Sequence, residues 1–262
     1  TTGLGAARAA AAGGWAERLT VSAVDRDGAA LEAYRRLAAH APLPFSLTTR
    51  AGDARRSLPA GPFDLVLLGL VLNELAPEAR DRLLASLAAR LAPRGAVVVV
   101  EPALRDVTRR LMAWREDALA AGWRLLAPCP HEAPCPMLRR ERDWCHDEHP
   151  QRLPPALATV AREAGLRFER STSAYLVLSR EGARSEGDRV VSQPLISKGK
   201  RELWVCRPSG HLVTLRRLDR HRSPGNAALD SVRRYDRIRA EGDRRGAAMR
   251  VGPDDRVEVL AP

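Results

Sequence analysis

The sequence predicts an α/β protein with a mostly parallel sheet, and two observations carry this prediction. Short runs composed mainly of aliphatic residues, typical of strands buried on both faces, occur within 63–70 and 96–101. The segment between them, over 77–91, has apolar residues at helical spacing. Buried strands that alternate with amphipathic helices are typical of a sheet covered by helices on both faces. We therefore predict a Rossmann-like, doubly wound half over residues 1–101.

The other elements are predicted in the same way. Further strands are expected at 19–24, 45–49 and 175–179, and further helices at 29–39, 105–123 and 155–164. Gly165 directly follows the last of these helices and is a typical stop signal.

The last part of the chain has a different pattern. A charged linker at 181–188 precedes alternating segments at 189–195, 202–206 and 212–217, which predict antiparallel strands with a turn at Pro208-Ser209-Gly210. A basic helix is expected over Ser231 to Arg245. We predict two domains, over 1–180 and 189–262. The first contains a cysteine-rich insertion at 128–150, and the second is a small β-rich, basic extension.

Composition restricts the partners. The chain has 43 Lys and Arg against 32 Asp and Glu, a formal net charge of +11. This excess favours a polyanionic partner, either nucleic acid or an acidic membrane surface. Only two of the basic residues are lysines, so a GC-rich coding genome is an alternative explanation of the arginine excess. No apolar run reaches eighteen residues, and we predict no membrane span.

Two glycines and two acids form the candidate cofactor site. Gly3 and Gly5 stand directly before an alanine-rich helix, where glycines let backbone amides approach a nucleotide and the helix start offers unpaired N–H groups. Asp25, at the tip of the next strand, is placed to accept hydrogen bonds from ribose hydroxyls. Asp53, after the following strand, is placed to accept from an adenine amino group. The structural alternatives are a helix N-cap for Asp25 and a turn former for Asp53.

In this order, and followed by the apolar strand at 63–70, these residues resemble the S-adenosylmethionine-binding half of class I methyltransferases. The strand that should precede Gly3 is missing from the sequence, so we expect the chain to be truncated there. The catalytic residues are unknown, because the segment at Asn73-Glu74 lacks the Asn/Asp-Pro-Pro-aromatic motif used to methylate base amines. Asn73 and Glu74 are candidates for the substrate side and equally for the start of a helix.

Four cysteines predict a metal centre. Cys129, Cys135 and Cys145 lie in one proline-rich, histidine-flanked segment, and Cys206 follows much later. Structural zinc sites usually pair cysteines two to four residues apart, so the gaps of five, nine and sixty residues fit zinc poorly. Four thiolates from separate loops suit an iron–sulfur cluster better, because the cluster is larger than a single ion.

Other interpretations of this segment remain open. The neighbouring histidines are alternative ligands or outer groups that orient the ligands or face RNA. One cysteine as the nucleophile of an RNA cytosine methyltransferase, or four buried free thiols, would also give the same composition. The histidines concerned are His131, His146 and His149.

Three further motifs accompany the first two cysteines, which stand in Cys-Pro-His-Glu-Ala-Pro-Cys-Pro. They are Asp143-Trp144-Cys145-His146, the strand from Ala174 to Arg180, and Gln193-Pro194-Leu195. With these motifs, almost the whole chain resembles the methyltransferase-like proteins of the mitochondrial small ribosomal subunit and their bacterial homologues.

The resemblance implies a class I methyltransferase fold, S-adenosylmethionine as cofactor, and a 4Fe–4S cluster held by four cysteines. On this sequence the ligands would be Cys129, Cys135, Cys145 and Cys206. The implied partner is the small ribosomal subunit or its rRNA, either as an assembly factor or as an active rRNA methyltransferase. A small-molecule methyltransferase is a third class, which the basic charge argues against. We expect a monomer, in the bacterial cytoplasm or, in a eukaryote, the mitochondrial matrix.

Overall fold

The computed structural model describes residues 2–14, 19–40, 45–56, 58–166, 169–184 and 186–260. Thr1, in the predicted glycine segment, and Ser185, in the predicted linker, lie outside this part. The chain divides into two compact units, Thr1–Val97 and Val98–Pro262. Helices alternate with strands through the first unit, so the predicted α/β, Rossmann-like class is confirmed. None of the described helices is both long and apolar enough to span a bilayer.

In its described residues, the first unit contains three strands, three α-helices and the start of a fourth strand. They are α1 (Thr2–Ala12), β1 (Leu19–Asp25), α2 (Gly28–Ala39), β2 (Phe45–Ala51), β3 (Phe63–Gly69), α3 (Pro77–Ala88) and β4 (Leu91–Pro102), which continues into the second unit.

β1 and β2 are parallel, with α2 as the crossover between them. Their register runs from Leu19 beside Phe45 to Asp25 beside Ala51. Asp27 caps α2 by accepting from the amide of Ala29. Parallel register brings the carboxyl ends of both strands to the same edge.

β1 and β2 form a sheet of their own. β3 lies beside the start of β4, where the amide of Phe63 donates to the carbonyl of Arg90 at 2.8 Å. The two chains approach closely here, since a Cβ on Gly95 would stand 2.6 Å from the carbonyl oxygen of Phe63.

The second unit begins with α4 (Arg105–Ala120), β5 (Arg124–Ala127), β6 (Asp147–Pro150), α5 (Pro155–Glu163) and β7 (Arg170–Ser179). Both β5 and β6 are antiparallel to β7, β5 along residues 177–179 and β6 along residues 170–173. The segment over 128–146, which we call the cysteine segment, therefore leaves and rejoins the sheet at fixed points.

The extension is β-rich, as predicted. It contains β8 (Asp188–Val190), β9 (Leu195–Ser197), β10 (Lys200–Cys206), β11 (Leu212–Leu218), β12 (Arg237–Ala240), β13 (Asp243–Arg245), β14 (Ala248–Val251) and β15 (Val257–Val259). The sheet order is β13-β14-β11-β10-β8-β12-β15, with β9 beside β10. Its core is aliphatic and includes the fully buried Leu203, Val205, Leu215 and Leu229.

The predicted basic helix from Ser231 to Arg245 is wrong, because this stretch forms β12 and β13. Along β12, Ile238 and Ala240 are buried and Arg239 between them is exposed, which is the two-residue alternation of a strand. Gly242 follows with φ +159, a conformation that side chains rarely adopt, and ends the strand. The many arginines in this stretch make the alternation of buried and exposed residues hard to see in the sequence.

A polar network lies inside the extension. Asn226 is fully buried, and its side-chain amide donates to the carbonyls of His221 (3.0 Å) and Gly252 (2.9 Å). The buried Arg217 donates to the carbonyl of Asn226 at 3.0 Å and forms an ion pair with Asp230. These bonds hold the turn over 219–230 against the sheet.

Candidate cofactor edge and four-cysteine site

The glycine segment is part of a helix. α1 begins at Thr2, so the expectation that Gly3 and Gly5 form a loop before the helix is wrong. The alanine-rich sequence extends the helix through both glycines, because two glycines cost less than the alanines that follow contribute. Both residues still lie in the first turn, whose amides have no acceptor within the helix. Gly3 packs against Tyr34, since a Cβ there would stand 2.5 Å from the tyrosine Oη.

The two candidate acids share one edge of the β1–β2 sheet. Asp25 ends β1, and its carbonyl accepts from the amide of Gly52, directly before Asp53. Asp25 is exposed, and its Oδ1 accepts from the amide of Asp27 at 2.9 Å. Arg26, beside it, pairs with Glu74 at 3.1 Å, which brings the end of β3 to the same edge. The structure thus juxtaposes Asp25, Asp53 and Glu74.

Asp53 is engaged by Arg55. The guanidinium Nε lies 2.9 Å from Oδ1 and 2.8 Å from Oδ2, and these hydrogen bonds hold the pKa of Asp53 well below its usual range. The turn-forming alternative is therefore also realised, because the amide of Arg55 donates to the same carboxylate at 2.9 Å. A ligand amino group at Asp53 would have to share the carboxylate with Arg55.

The predicted role of Asp53 in S-adenosylmethionine binding implies that Asp53→Ala weakens this binding at least about tenfold, the loss typical of one hydrogen bond to a charged group. Arg55→Ala should leave binding unchanged or strengthen it, because it releases the carboxylate. Calorimetric titration of both variants measures this. Equal weakening in both would show that the ion pair, rather than the free acceptor, matters.

In the second unit, α4 organises the cysteine segment through Arg109. Its guanidinium donates to four backbone carbonyls of that segment at distances of 2.8 to 3.2 Å. The acceptors are those of Met137, Leu138, Arg140 and Asp143. One side chain therefore closes the loop between Cys135 and Cys145.

Arg109→Gln should loosen this loop while leaving α4 folded. Amide hydrogen exchange over 136–144 should become at least about tenfold faster, since the carbonyls lose charge-assisted bonds of about 1.5–3 kcal/mol each. The exposed neighbour Arg110 is the matched control, and Arg110→Gln should change exchange little. Similar exchange in both variants would contradict the role of Arg109.

About two turns further along α4, Arg115 and Glu116 contact the backbone of the motif that contains Cys129 and Cys135. Arg115 is fully buried and donates to the carbonyl of His131 at 2.6 Å. Glu116 accepts from Arg115 at 2.6 Å and from the amide of Cys135 at 3.0 Å. This pair therefore fastens the Cys-Pro-His-Glu-Ala-Pro-Cys motif at its middle, His131, and at its last residue, Cys135.

Cys206 meets this motif although it is distant in sequence. His131 Nε2 lies 3.2 Å from the Cys206 Sγ, and His131 Nδ1 lies 3.0 Å from the carbonyl of Ala133. The turn after β10 reaches the same place, since a Cβ on Gly210 (φ +79) would stand 2.6 Å from the Ala133 side chain. Only glycine suits this contact. The turn between β10 and β11 thus packs on the cysteine segment.

Cys145 is held from the extension. Arg189 of β8 donates to its Sγ at 3.5 Å and forms a buried ion pair with Asp147. Arg234 donates to the carbonyl of His146 at 3.1 Å and pairs with Glu148 at 3.4 Å. Two arginines therefore bind the residues around Cys145 to the same sheet that contains Cys206.

The four thiols lie within electrostatic reach of one another. Burial raises the pKa of the Cys206 thiol, and charges at Cys129, Cys145 and Cys135 raise it further. Burial likewise raises the pKa of Cys135 to about 12, with contributions from Cys129 and Cys145. The structure therefore brings together all four cysteines that the sequence singled out.

The four cysteines differ in burial: Cys129, Cys135 and Cys206 are buried, whereas Cys145 is half-buried. Among the described residues, no three His, Cys, Asp or Glu side chains stand in a group that would hold one metal ion. The guanidinium groups of Arg115 and Arg189 are buried beside these cysteines. All four are free thiols, and none forms a disulfide.

The histidines have other partners. His131 contacts Cys206 and a backbone carbonyl, His146 contacts Arg234, and His149 lies 5.6 Å from the ring of Tyr235. Arg109, Arg115 and Arg189 also belong to the site, although no sequence motif predicts them. The first two continue the helical spacing of the buried positions 108, 111 and 112, and charged residues at such positions are a usable signal.

A family model described as "Mitochondrial small ribosomal subunit Rsm22" matches residues 1–227. No curated protein matches the sequence significantly. Among solved structures, a putative methyltransferase from Thermoplasma acidophilum is 14% identical with a TM-score of 0.39, covering 63% of this chain and 59% of its own.

TehB from Haemophilus influenzae is 8% identical with a TM-score of 0.40, covering 68% of this chain and 62% of its own. The glycopeptide N-methyltransferase MtfA is 14% identical with a TM-score of 0.38, covering 68% and 90%. This chain thus spans less than two thirds of the first two structures.

Proposed function

The chain belongs to the family described as mitochondrial small ribosomal subunit Rsm22, and from this premise we propose that it is a methyltransferase-like factor acting on the small ribosomal subunit. Its site of action would be the cytoplasm in a bacterium and the mitochondrial matrix in a eukaryote. The net charge of +11 supports an rRNA partner, because phosphates attract arginine-rich surfaces.

The four-cysteine site is proposed to hold a 4Fe–4S cluster, with zinc as the alternative. The observation that supports this is the convergence of Cys206 with the three cysteines of the cysteine segment. The proposed ligands are Cys129, Cys135, Cys145 and Cys206. A bound cluster supplies a one-electron redox centre or a structural cross-link. The chain itself supplies four thiols, of which three are buried. Arg109 and Arg115 hold the backbone of the cysteine segment, and Arg189 donates to the Cys145 Sγ.

Metal and sulfide analysis of anaerobically purified protein tests this proposal. We expect about four iron and four sulfide per chain, the content of one such cluster. Stoichiometric zinc without iron would replace the cluster by the zinc alternative. Protein without either metal, purified with all four thiols reactive to a thiol reagent after unfolding, would contradict a metal centre.

The rRNA surface is proposed to include the exposed arginines of the cysteine segment, Arg139 and Arg142. Changing both arginines to glutamine should weaken binding to small-subunit rRNA. It should also reduce the magnitude of the slope of log affinity against log salt concentration by about one to two, because each lost phosphate contact contributes about 0.9. Arg105→Gln, an exposed change on α4, is the control. An unchanged slope would exclude these arginines from the interface.

The cofactor edge is proposed to bind S-adenosylmethionine through Gly3, Gly5, Asp25 and Asp53. The shared edge of Asp25 and Asp53 supports this. An active rRNA methyltransferase is the second candidate function, since methyl transfer by in-line displacement needs mainly positioning. Labelled S-adenosylmethionine with immature small subunits distinguishes the two. Label in the rRNA would establish the enzyme, and binding without label transfer would favour the assembly factor.

A further inference from the structure

Two arginine side chains are buried beside the four cysteines. Arg115 is fully buried on α4, and the side chain of Arg189 on β8 is 5% exposed. A guanidinium group stays charged in a protein, and removing it from water is costly unless negative charge lies nearby. Two such groups at one place therefore indicate the sign of the charge that the place is built to hold.

The protein partners of Arg115 do not use its full donor capacity. Nη1 pairs with Glu116, whose side chain is 31% exposed, and Nη2 donates to the carbonyl of His131. Within the described residues, the buried Nε has no hydrogen-bond partner. Burial raises the pKa of the adjacent Cys129 thiol, and the charge of Arg115 opposes this effect. A buried cation thus stands beside Cys129 and acts on this thiol through its charge and a side-chain hydrogen bond.

Arg189 approaches the other side of the site. Nη1 lies 3.5 Å from the Cys145 Sγ, and Nη2 pairs with Asp147. Burial alone would lower the pKa of Arg189, but negative charge at Cys145 and Asp147 outweighs it and raises the pKa. Its charge also acts on Cys129 and Cys206. Arg189 therefore donates to the thiol of Cys145 and acts through its charge on Cys129 and Cys206.

We propose that Arg115 and Arg189 are the fixed counter-charges of the four-cysteine cluster and stabilise its reduced state. This inference rests on the proposed iron–sulfur centre. Four thiolates make such a centre anionic, and uptake of one electron, from a chemical reductant such as dithionite, adds one more negative charge. In a buried site of low dielectric constant, an adjacent cation lowers the energy of the more negative state. Both arginines are positioning residues, because neither ligates iron.

The test is the reduction potential of anaerobically purified protein, measured by spectroscopic titration with dithionite. Arg115→Gln and Arg189→Gln should each lower the ratio of reduced to oxidised cluster at least tenfold at a given solution potential. For a one-electron couple, this corresponds to a decrease of 59 mV in the reduction potential. Arg115→Lys and Arg189→Lys keep the charge and should shift the ratio much less. Arg110→Gln, an exposed change on the same helix as Arg115, should leave the potential unchanged because water and salt screen it.

The glutamine variants could also fail to assemble the cluster. Retention of iron in the lysine variants alone would then support the counter-charge role. Loss of iron in both sets, or equal potentials in wild type and glutamine variants, would overturn it in favour of a purely steric role. A wild-type protein containing zinc or no metal would contradict the proposed cluster itself, a result distinct from an unchanged potential.

Discussion

Replacing Cys206 with serine is expected to lower the iron content of the purified protein at least about tenfold. Serine lacks the thiolate that iron binds, and loss of a ligand should cost no less than loss of an outer-shell partner, which is about 10- to 100-fold in metal affinity. Cys206 is 9% exposed and is the cysteine that the extension contributes. Iron and sulfide assays with the visible absorption spectrum measure the effect.

The control for this variant is Ser209→Ala, an exposed change in the turn that follows β10. Thermal unfolding of both variants shows whether the extension itself remains folded. Its aliphatic core does not include Cys206, so we expect the sheet to persist without the cluster. A Cys206→Ser protein with wild-type iron content would remove Cys206 from the ligand set.

The second large effect is expected inside the extension. Asp230→Asn should lower the free energy of unfolding by about 3 kcal/mol, because Arg217 would remain buried without its carboxylate. This is the lower end of the usual range, since the Asp230 side chain is 36% exposed. Chemical denaturation monitored by tryptophan fluorescence measures the change.

Arg222 provides a matched comparison, because it pairs with the same carboxylate from a side chain that is 64% exposed. Arg222→Gln should cost less than about 1 kcal/mol, as exposed ion pairs do. Equal losses in the two variants would show that burial of Arg217 is not the cause.

Lowering the pH should destabilise the extension in the same way as Asp230→Asn, because protonation removes the charge of the Asp230 carboxylate. Burial raises the pKa of Asp230, but hydrogen bonds from Arg222 and Arg217 outweigh it and hold the pKa below its ordinary value. The stabilisation is therefore present above the pKa of the unfolded chain and is lost as the pH falls through the lower folded value. Asp230→Asn should remove this part of the acid dependence.

The spacing of apolar residues along the chain was sufficient to predict most of the helices and strands. The continuous apolar run at 63–70 became β3, and the helix predicted over 77–91 became α3, which ends at Ala88. Prediction was wrong where composition replaced periodicity. The charge of the stretch from Ser231 to Arg245 suggests a helix, but the stretch contains strands. The residue type of Gly3 and Gly5 suggests a loop, but both glycines lie in a helix.

The sequence by itself determined which residue types are present: buried aliphatic strands, two acids that follow β1 and β2, and four cysteines. Only the tertiary structure decided that Cys206 joins the cysteine segment and that Arg115 and Arg189 are buried beside it. The reason is physical. Periodicity reports which face of one element is buried, whereas contacts between a helix, a loop and a distant sheet depend on how those elements pack.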